Sequence, residues 1–224
     1  MNPLNHVAIV MDGNGRWGLK YKNSRNLGHK AGINVVTQII DDTIKLKIKF
    51  LTLYAFSTEN WSRPKNEINY LFKLLEKFLS KNIDEFYAKN IKLKILGEKN
   101  FSKKVNSLLN YAEKKTINNK VLQINLALNY GSKQEIIKAV KKINKKNQNI
   151  NLKNLSDNLY TSGLPDPDLL IRTGNTKRLS NFLLWQLAYT EIFFIKKMWP
   201  DFNVKDFRKI ITKFKKIKRN YGNI

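Results

Sequence analysis

His6-Val7-Ala8-Ile9-Val10-Met11-Asp12-Gly13-Asn14-Gly15-Arg16-Trp17 decides how the rest of the chain is read. An apolar run of strand length stops at an acid, and two glycines then bracket an asparagine ahead of an arginine and a tryptophan. That order suits a buried strand that delivers a phosphate-binding loop. The glycines let backbone N–H groups approach an anion, Arg16 can grip it bidentately, and Asp12 makes sense beside phosphate if a metal ion lies between them. The same residues also read as an ordinary strand and a Gly-Asn-Gly turn, so other parts of the chain have to decide.

Two further stretches repeat the pattern. Residues 50–56, Phe-Leu-Thr-Leu-Tyr-Ala-Phe, are too continuously apolar and β-forming for an exposed strand, and they end at Ser57-Thr58-Glu59-Asn60-Trp61-Ser62-Arg63-Pro64. Downstream of the rigid Gly163-Leu164-Pro165-Asp166-Pro167-Asp168 turn, Leu169-Leu170-Ile171 leads to Arg172-Thr173-Gly174, with Arg178-Leu179-Ser180-Asn181 within reach. In open α/β sheets the ligand crevice lies beyond the carboxyl ends of the strands, so three such ends can face one site.

The intervening segments supply helices and further strands. Residues 19–26 are polar and basic and read as a mobile flap. Ile33, Val36, Ile39, Ile40 and Ile44 mark one apolar helical face, and an early start to that helix puts Arg25 and His29 four apart on the side facing the loop. Pro64 suits the first turn of a helix carrying Ile68, Leu71, Phe72, Leu75, Phe78 and Leu79, widened by Leu74. Core packing is the first reading of that stripe, and the lining of a hydrocarbon tunnel is the second. A strand is expected over 91–96, a helix over 102–115, a strand over 122–128 and a helix from Ser132, while 141–154 is the most linker-like stretch. Residues 182–189 read as a buried helix. Glu191 sits in apolar sequence and needs a metal or a basic partner. Trp199-Pro200 precedes a last helix using Phe207, Ile210, Ile211, Phe214 and Ile217, with a basic end at Lys218-Arg219-Asn220-Tyr221-Gly222. The recurring order of strand, loop and helix predicts a single α/β domain over residues 1–224, with a mostly parallel central sheet and helices on both faces.

Composition bounds the function. The 224 residues carry 42 Lys and Arg against 17 Asp and Glu, a formal charge of +25. Lysine accounts for most of the excess and is spread among Asn and Ile, which reads as a usage bias more than a nucleic-acid surface. The field still favours anionic ligands and anionic lipid headgroups. A nucleic-acid module would gather basic and aromatic residues on one face, whereas here the informative ones sit at strand ends beside Gly, Ser and Asn. The absence of cysteine excludes disulfides and thiolate metal sites and fits a reducing compartment. No stretch approaches the roughly 18 apolar residues of a membrane span, and no charged leader precedes the first strand, so a cytoplasmic protein is expected, with peripheral contact at the inner face of the membrane.

Taken in order, residues 11–17, 28–32, 57–64, 168–174, 178–186 and 199–202 resemble the motifs of the cis-prenyltransferases, the family of bacterial undecaprenyl-diphosphate synthases. The resemblance runs over nearly the whole chain. It implies condensation of isopentenyl diphosphate, head to tail, onto an allylic diphosphate such as farnesyl diphosphate, with Mg²⁺ as cofactor. The implied product is a cis-polyprenyl diphosphate of the undecaprenyl type, a lipid-carrier precursor for cell-wall synthesis. By matching position, Asp12 is catalytic and holds the magnesium, with Glu191 as a further ligand. Gly13, Asn14, Gly15, Arg16, Arg25 and His29 bind the allylic diphosphate, and Trp17 joins the substrate contacts beside them. Ser57, Thr58, Glu59, Trp61 and Arg63 order the second loop, and Asn60 is the implied proton acceptor, although an amide is a poor base and suits orienting a proton better. Arg172, Arg178, Leu179 and Ser180 belong to the isopentenyl diphosphate subsite. An α/β homodimer is implied, with an apolar tunnel along Leu71, Leu74 and Leu75.

Departures from the pattern are Asn175-Thr176-Lys177, where Gly-Glu-His is usual, and a tail in which Arg219 lies three residues before Gly222. Two alternatives stay open at this stage. One is a trans-prenyltransferase using Asp41-Asp42, which has no second copy in the chain. The other is a non-catalytic partner of a heteromeric synthase, which the presence of Asp12, Asn60 and the arginines disfavours.

Overall fold

The structure, a computed structural model, describes residues 2–219, so Asn220-Tyr221-Gly222 of the basic tail lie outside the described residues. Six strands form one all-parallel sheet: β1 (His6–Val10), β2 (Phe50–Ser57), β3 (Ile91–Leu96), β4 (Leu122–Tyr130), β5 (Leu169–Arg172) and β6 (Glu191–Phe194), in the order β3-β4-β2-β1-β5-β6. β1 is buried along its whole length, as its unbroken apolar sequence requires. Val7 and Ile9 enter the main core on one face, and Ala8 and Val10 enter a second core on the other.

Among the described residues seven α-helices flank the sheet: α1 (Asn14–Lys22), α2 (Arg25–Lys45), α3 (Lys65–Ala88), α4 (Lys103–Thr116), α5 (Ser132–Lys145) and α6 (Leu152–Asn158) lie between strands, and α7 (Val204–Lys215) follows β6. The chain leaves β1 towards β2 on one side, while β5 joins on the other. β1 is therefore the point where the strand order reverses and a crevice opens above the sheet. The register puts Val10 opposite Tyr54 of β2 and Arg172 of β5, so β1 and β5 end level while β2 runs on to Ser57 beside them.

Three expectations are corrected. Residues 19–22 belong to α1, not to a flap. The helix is short of apolar residues but long enough because glycines let it touch α2: a Cβ on Gly28 would stand 1.9 Å from the Asn14 carbonyl oxygen, and one on Gly18 would stand 2.7 Å from the Gly28 nitrogen. Residues 182–189 form turns instead of a helix, since Ser180, Asn181 and Leu183 all take positive φ. Phe182 and Leu183 are nonetheless fully buried, in the second core. The lysine-rich 141–154 stretch, linker-like by sequence, holds the end of α5 and the start of α6.

A polar knot closes the amino ends of the central strands. The His6 imidazole Nδ1 donates to the Pro165 carbonyl at 2.7 Å, which leaves Nε2 to accept from the Thr52 hydroxyl at 2.7 Å. Asn125 then donates to Thr52 Oγ1 at 3.0 Å. Burial holds the ring neutral, pulling its pKa down to about 4.

Candidate active site

Gly13 ends the first loop with φ 105°, a left-handed conformation that glycine adopts without strain. A Cβ there would also stand 2.8 Å from Met198 Cβ. The turn starts α1, whose first N–H groups have no partner within the helix and form an anion-binding end. The Asp12 backbone is held from two sides: its carbonyl accepts from the Trp199 N–H at 2.9 Å and from the Thr173 hydroxyl at 2.8 Å. Trp199, fully buried, is itself anchored by donating Nε1–H to the Gly32 carbonyl at 2.9 Å.

The Asp12 carboxylate lies between two arginines. Arg172 donates to Oδ2 at 2.8 Å and Arg16 to Oδ1 at 3.3 Å. Burial alone would push this carboxyl up, but the Arg172 and Arg16 guanidiniums hold it below the usual carboxylate range. Arg172 is buried, donates to Ser180 Oγ at 2.8 Å and to the Arg178 carbonyl, and has its Nε without a partner. Arg16 also donates to the Gly174 carbonyl at 2.7 Å. Gly174 takes φ 87°, and a Cβ there would stand 2.7 Å from Arg16 Nη2.

A second cluster of cations is organised by a residue that the sequence reading missed. Glu67, on the first turn of α3 and 5% exposed, accepts from Arg25 at 2.8 Å, from His29 at 3.2 Å and from Arg63 at 3.2 Å. Burial opposes its ionisation, yet the bonds from Arg25 and His29 hold the carboxyl below its ordinary range. Burial also lowers His29, against the pull of Glu67, and Arg63 and Arg25 add to the lowering. One carboxylate thus sets the positions of three groups drawn from α2 and the second loop. The available signal was an acid three residues after Pro64, at a spacing of four from Arg63.

The second loop begins with a capping box, in which Asn60 Oδ1 accepts from the Ser57 N–H at 3.2 Å. Asn60 lines the cleft, and with its oxygen engaged its Nδ2–H groups remain to donate. Glu59 accepts from Asn181 at 2.8 Å, tying the second loop to the third. Trp61 turns away into a cluster with Phe56, Phe72 and Phe101 and donates to Asn129 Oδ1 at 2.7 Å.

These loops enclose a cleft of 560 Å³ at the carboxyl ends of β2, β1 and β5. Asp12, Gly13, Asn14, Gly15, Arg16, Arg25, His29, Ser57, Glu59, Asn60, Arg63, Arg172, Arg178 and Ser180 all line it, so most of the expected site residues are brought together. Trp17 is not among them: its indole donates to Asp201 at 2.7 Å on the outer side of α1. Leu179 packs against the second core, and Thr58 lies outside the cleft lining, its hydroxyl buried beside Gly131. Glu191 opens β6 opposite Leu169, whereas Arg172 pairs with Phe194 at the other end. It is therefore separated from Asp12 by the length of the strand, and its partner is Arg219, at 3.7 Å.

Among the described residues no three His, Cys, Asp or Glu side chains gather as a metal-ligand set. The donor chemistry at Asp12 still fits magnesium, which is commonly held by one or two carboxylates with phosphate oxygens and water completing its shell. An ionised carboxylate at the meeting point of cations that would hold a diphosphate is that arrangement.

Residues 10–222 match the family model for undecaprenyl diphosphate synthase. The chain is 45% identical, over 99% of its length and 92% of the relative's, to the ditrans,polycis-undecaprenyl-diphosphate synthase ((2E,6E)-farnesyl-diphosphate specific) of Buchnera aphidicola subsp. Schizaphis graminum. Its fold is similar to the crystal structure of a probable undecaprenyl diphosphate synthase from Campylobacter jejuni, with TM-score 0.86, 38% identity and full coverage of both chains. It is similar also to lavandulyl diphosphate synthase from Lavandula x intermedia in complex with dimethylallyl diphosphate, with TM-score 0.94, 32% identity and 98% coverage of both.

Proposed function

The chain belongs to the undecaprenyl diphosphate synthase family of prenyltransferases, and from that premise we propose that it condenses isopentenyl diphosphate onto farnesyl diphosphate to build a cis-polyprenyl diphosphate of the undecaprenyl type, destined for cell-wall lipid carriers. One observation carries this reading. The cation-lined cleft continues into an apolar cavity of 140 Å³, the two sharing Met11, Asn14, His29, Ala55, Phe56 and Leu71. Leu71, Leu74 and Leu75 line that cavity. A site that is anionic-seeking at one end and hydrocarbon-lined at the other suits an allylic diphosphate, head and tail together.

In this reading the allylic diphosphate lies at the start of α1, with Arg25, His29 and Arg63 around it. The diphosphate of isopentenyl diphosphate lies at Arg172, Arg178 and Ser180. Ionisation of the allylic carbon–oxygen bond places negative charge on the departing diphosphate, which the α1 N–H groups and Arg16 stabilise without reorganising. Asp12 would hold magnesium, which when bound supplies further neutralisation of that charge. The apolar walls exclude water from the allylic cation. Arg172 and Ser180 fix the alkene beside it, and most of the acceleration comes from position and electrostatics. Asn60, offering N–H to the cleft, orients a diphosphate oxygen or water that takes the departing proton.

Asp41 and Asp42, the nearest candidates for a trans-prenyltransferase motif, are committed elsewhere: Asp41 to Lys89 at 2.8 Å, and Asp42, buried, to Arg208 at 3.0 Å. A homodimer is supported by the open edge of β6, where Ile192 and Phe194 are exposed beside Tyr189. A metal role for Glu191 would require such a second copy, since within one chain it is remote from Asp12. No helix among the described residues is long and apolar enough to cross a membrane. Incubation of the purified chain with Mg²⁺, farnesyl diphosphate and labelled isopentenyl diphosphate is expected to give labelled cis-polyprenyl diphosphate. No incorporation with any allylic primer would defeat the proposal.

A further inference from the structure

The apolar cavity is closed on one side by very little. α2 and α3 run alongside each other in the same direction, pinned near their starts by Arg25 and His29 on Glu67 and near their ends by Lys89 on Asp41. Between these pins no hydrogen bond or ion pair among the described residues joins the two helices. What lies there is Ile33, Leu74 and Phe78, all half-buried, which line the inner cavity on one side and an outer groove of 780 Å³ on the other. Three apolar side chains are therefore the wall between hydrocarbon cavity and exterior.

The outer groove has its own chemistry. It is bordered by one stripe of each helix at helical spacing, and its rim carries the exposed lysines Lys30, Lys73, Lys77 and Lys81. Glu85, at the far end, is the acid among its lining residues. None of the four lysines forms an ion pair among the described residues. Lysine stems can lie over apolar surface while the ammonium groups reach outward, so a face of this kind meets an apolar layer with an anionic border. A nucleic acid would satisfy the lysines but leave the apolar floor uncovered. A bilayer containing anionic lipids satisfies both.

We propose that the α2–α3 groove is the face on which this protein rests on an anionic phospholipid bilayer, and that the seam of Ile33, Leu74 and Phe78 is where the hydrocarbon tail passes from cavity to lipid. The docking face stands on the groove alone, whereas the passage of the tail rests on the prenyl-transfer reading. A chain lengthened one isoprene unit at a time outgrows a cavity of 140 Å³, and exposing it to water is strongly unfavourable, so lipid is its destination.

The test uses the full chain, whose lack of cysteine allows single-site labelling. An environment-sensitive fluorophore on K77C is expected to shift with vesicles of phosphatidylglycerol and phosphatidylcholine, while the same label on K153C, on α6, stays unchanged. Vesicles of phosphatidylcholine alone should move neither. The K73Q/K77Q/K81Q variant is expected to lose vesicle affinity on the order of a hundredfold, each lysine near an anionic surface contributing roughly a factor of five. Its rate for a single condensation in solution should stay within twofold, and failure of that reaction in the wild-type chain would count against the prenyl-transfer reading while leaving the docking result to stand on its own. For the seam, K30C/K73C bridged by a reversible bifunctional thiol reagent should lose the stimulation of multiple turnover by vesicles and regain it on reduction. Docking is overturned if the triple variant binds anionic vesicles like wild type, if both labels respond alike, or if the K77C label shifts with protein concentration in the absence of lipid, which would make the groove a contact between copies. Passage through the seam is overturned if the bridged chain responds to vesicles in full.

Discussion

Asp12, Glu67 and His6 show how differently three buried or half-buried ionisable groups can serve one fold. Asp12 shares its two oxygens between Arg172 and Arg16, at the junction of three loops. D12N keeps the shape and one of the two arginine hydrogen bonds but removes the charge, so kcat is expected to fall by on the order of a hundredfold or more, with circular dichroism unchanged. Wild-type turnover in D12N would refute its role. Glu67 positions Arg25, His29 and Arg63, and E67A leaves those cations without their shared partner. A loss of about 1–2 kcal/mol is expected in denaturant unfolding, because Arg25 and Arg63 are partly exposed and stay partly solvated without the carboxylate. E67Q, which retains acceptor capacity, should stay folded and raise KM for the allylic diphosphate more than it lowers kcat. An unchanged KM would show that the three cations hold their places without the carboxylate. His6 is neutral in the folded chain, with a pKa lowered from 6.5 to about 4. The unfolded chain therefore binds a proton that the folded one refuses, and stability falls as pH drops from 6.5 towards 4, by about 3 kcal/mol in all. Unfolding curves for wild type and H6Q at several pH values isolate this contribution, because the glutamine does not titrate. Parallel pH dependence in the two proteins would contradict it.

At the scale of elements, strand ends were easier to read than helix contacts. β1, β2 and β5 announced themselves because strands buried on both faces need unbroken apolar runs, and the polar residues after them stand out against such runs; β3, at the sheet edge, showed instead as an alternation of apolar residues with Lys92 and Lys94. The arginines and Asp12 at those ends were legible for the same reason. Glu67 was not, since its partners Arg25 and His29 lie about forty residues away and only the α2–α3 packing brings them close. α1 was hidden too: its burial rests on Gly15 and Gly18, which carry no apolar signal. Residues 182–189 misled in the opposite sense, for apolar content suits a buried turn as well as a helix, and positive φ at three nearby residues is not written in hydrophobicity. The glycine contact between α1 and α2 is directly testable. G28A must move the Asn14 carbonyl, and with it the start of α1, so a loss of about 1–3 kcal/mol and a marked loss of diphosphate affinity are expected together. Thermal unfolding and ligand titration on one sample measure both. A stable G28A protein with normal affinity would show that α1 can shift without disturbing the anion site.

The whole molecule is a parallel sheet whose reversal point, at β1, gathers three loops over one cleft, while the space between the sheet and α2 and α3 stays partly unfilled and apolar. The overall charge of +25 suits an anionic substrate and an anionic surface alike. The open β6 edge gives a prediction at this scale: sedimentation of the wild-type chain is expected to show a dimer, and I192E with F194E a monomer, because two acids on an apolar edge oppose pairing. An unaltered dimer in that variant would place the contact on another face. The most direct test of the central claim is a crystal structure with a non-hydrolysable allylic thiodiphosphate. The diphosphate is expected at the start of α1, within hydrogen-bond reach of Arg25 and Arg63, with its hydrocarbon running past Leu71 and Leu75 into the cavity. A ligand whose head occupies Arg172 and Arg178, or whose tail lies outside the α2–α3 wall, would contradict it.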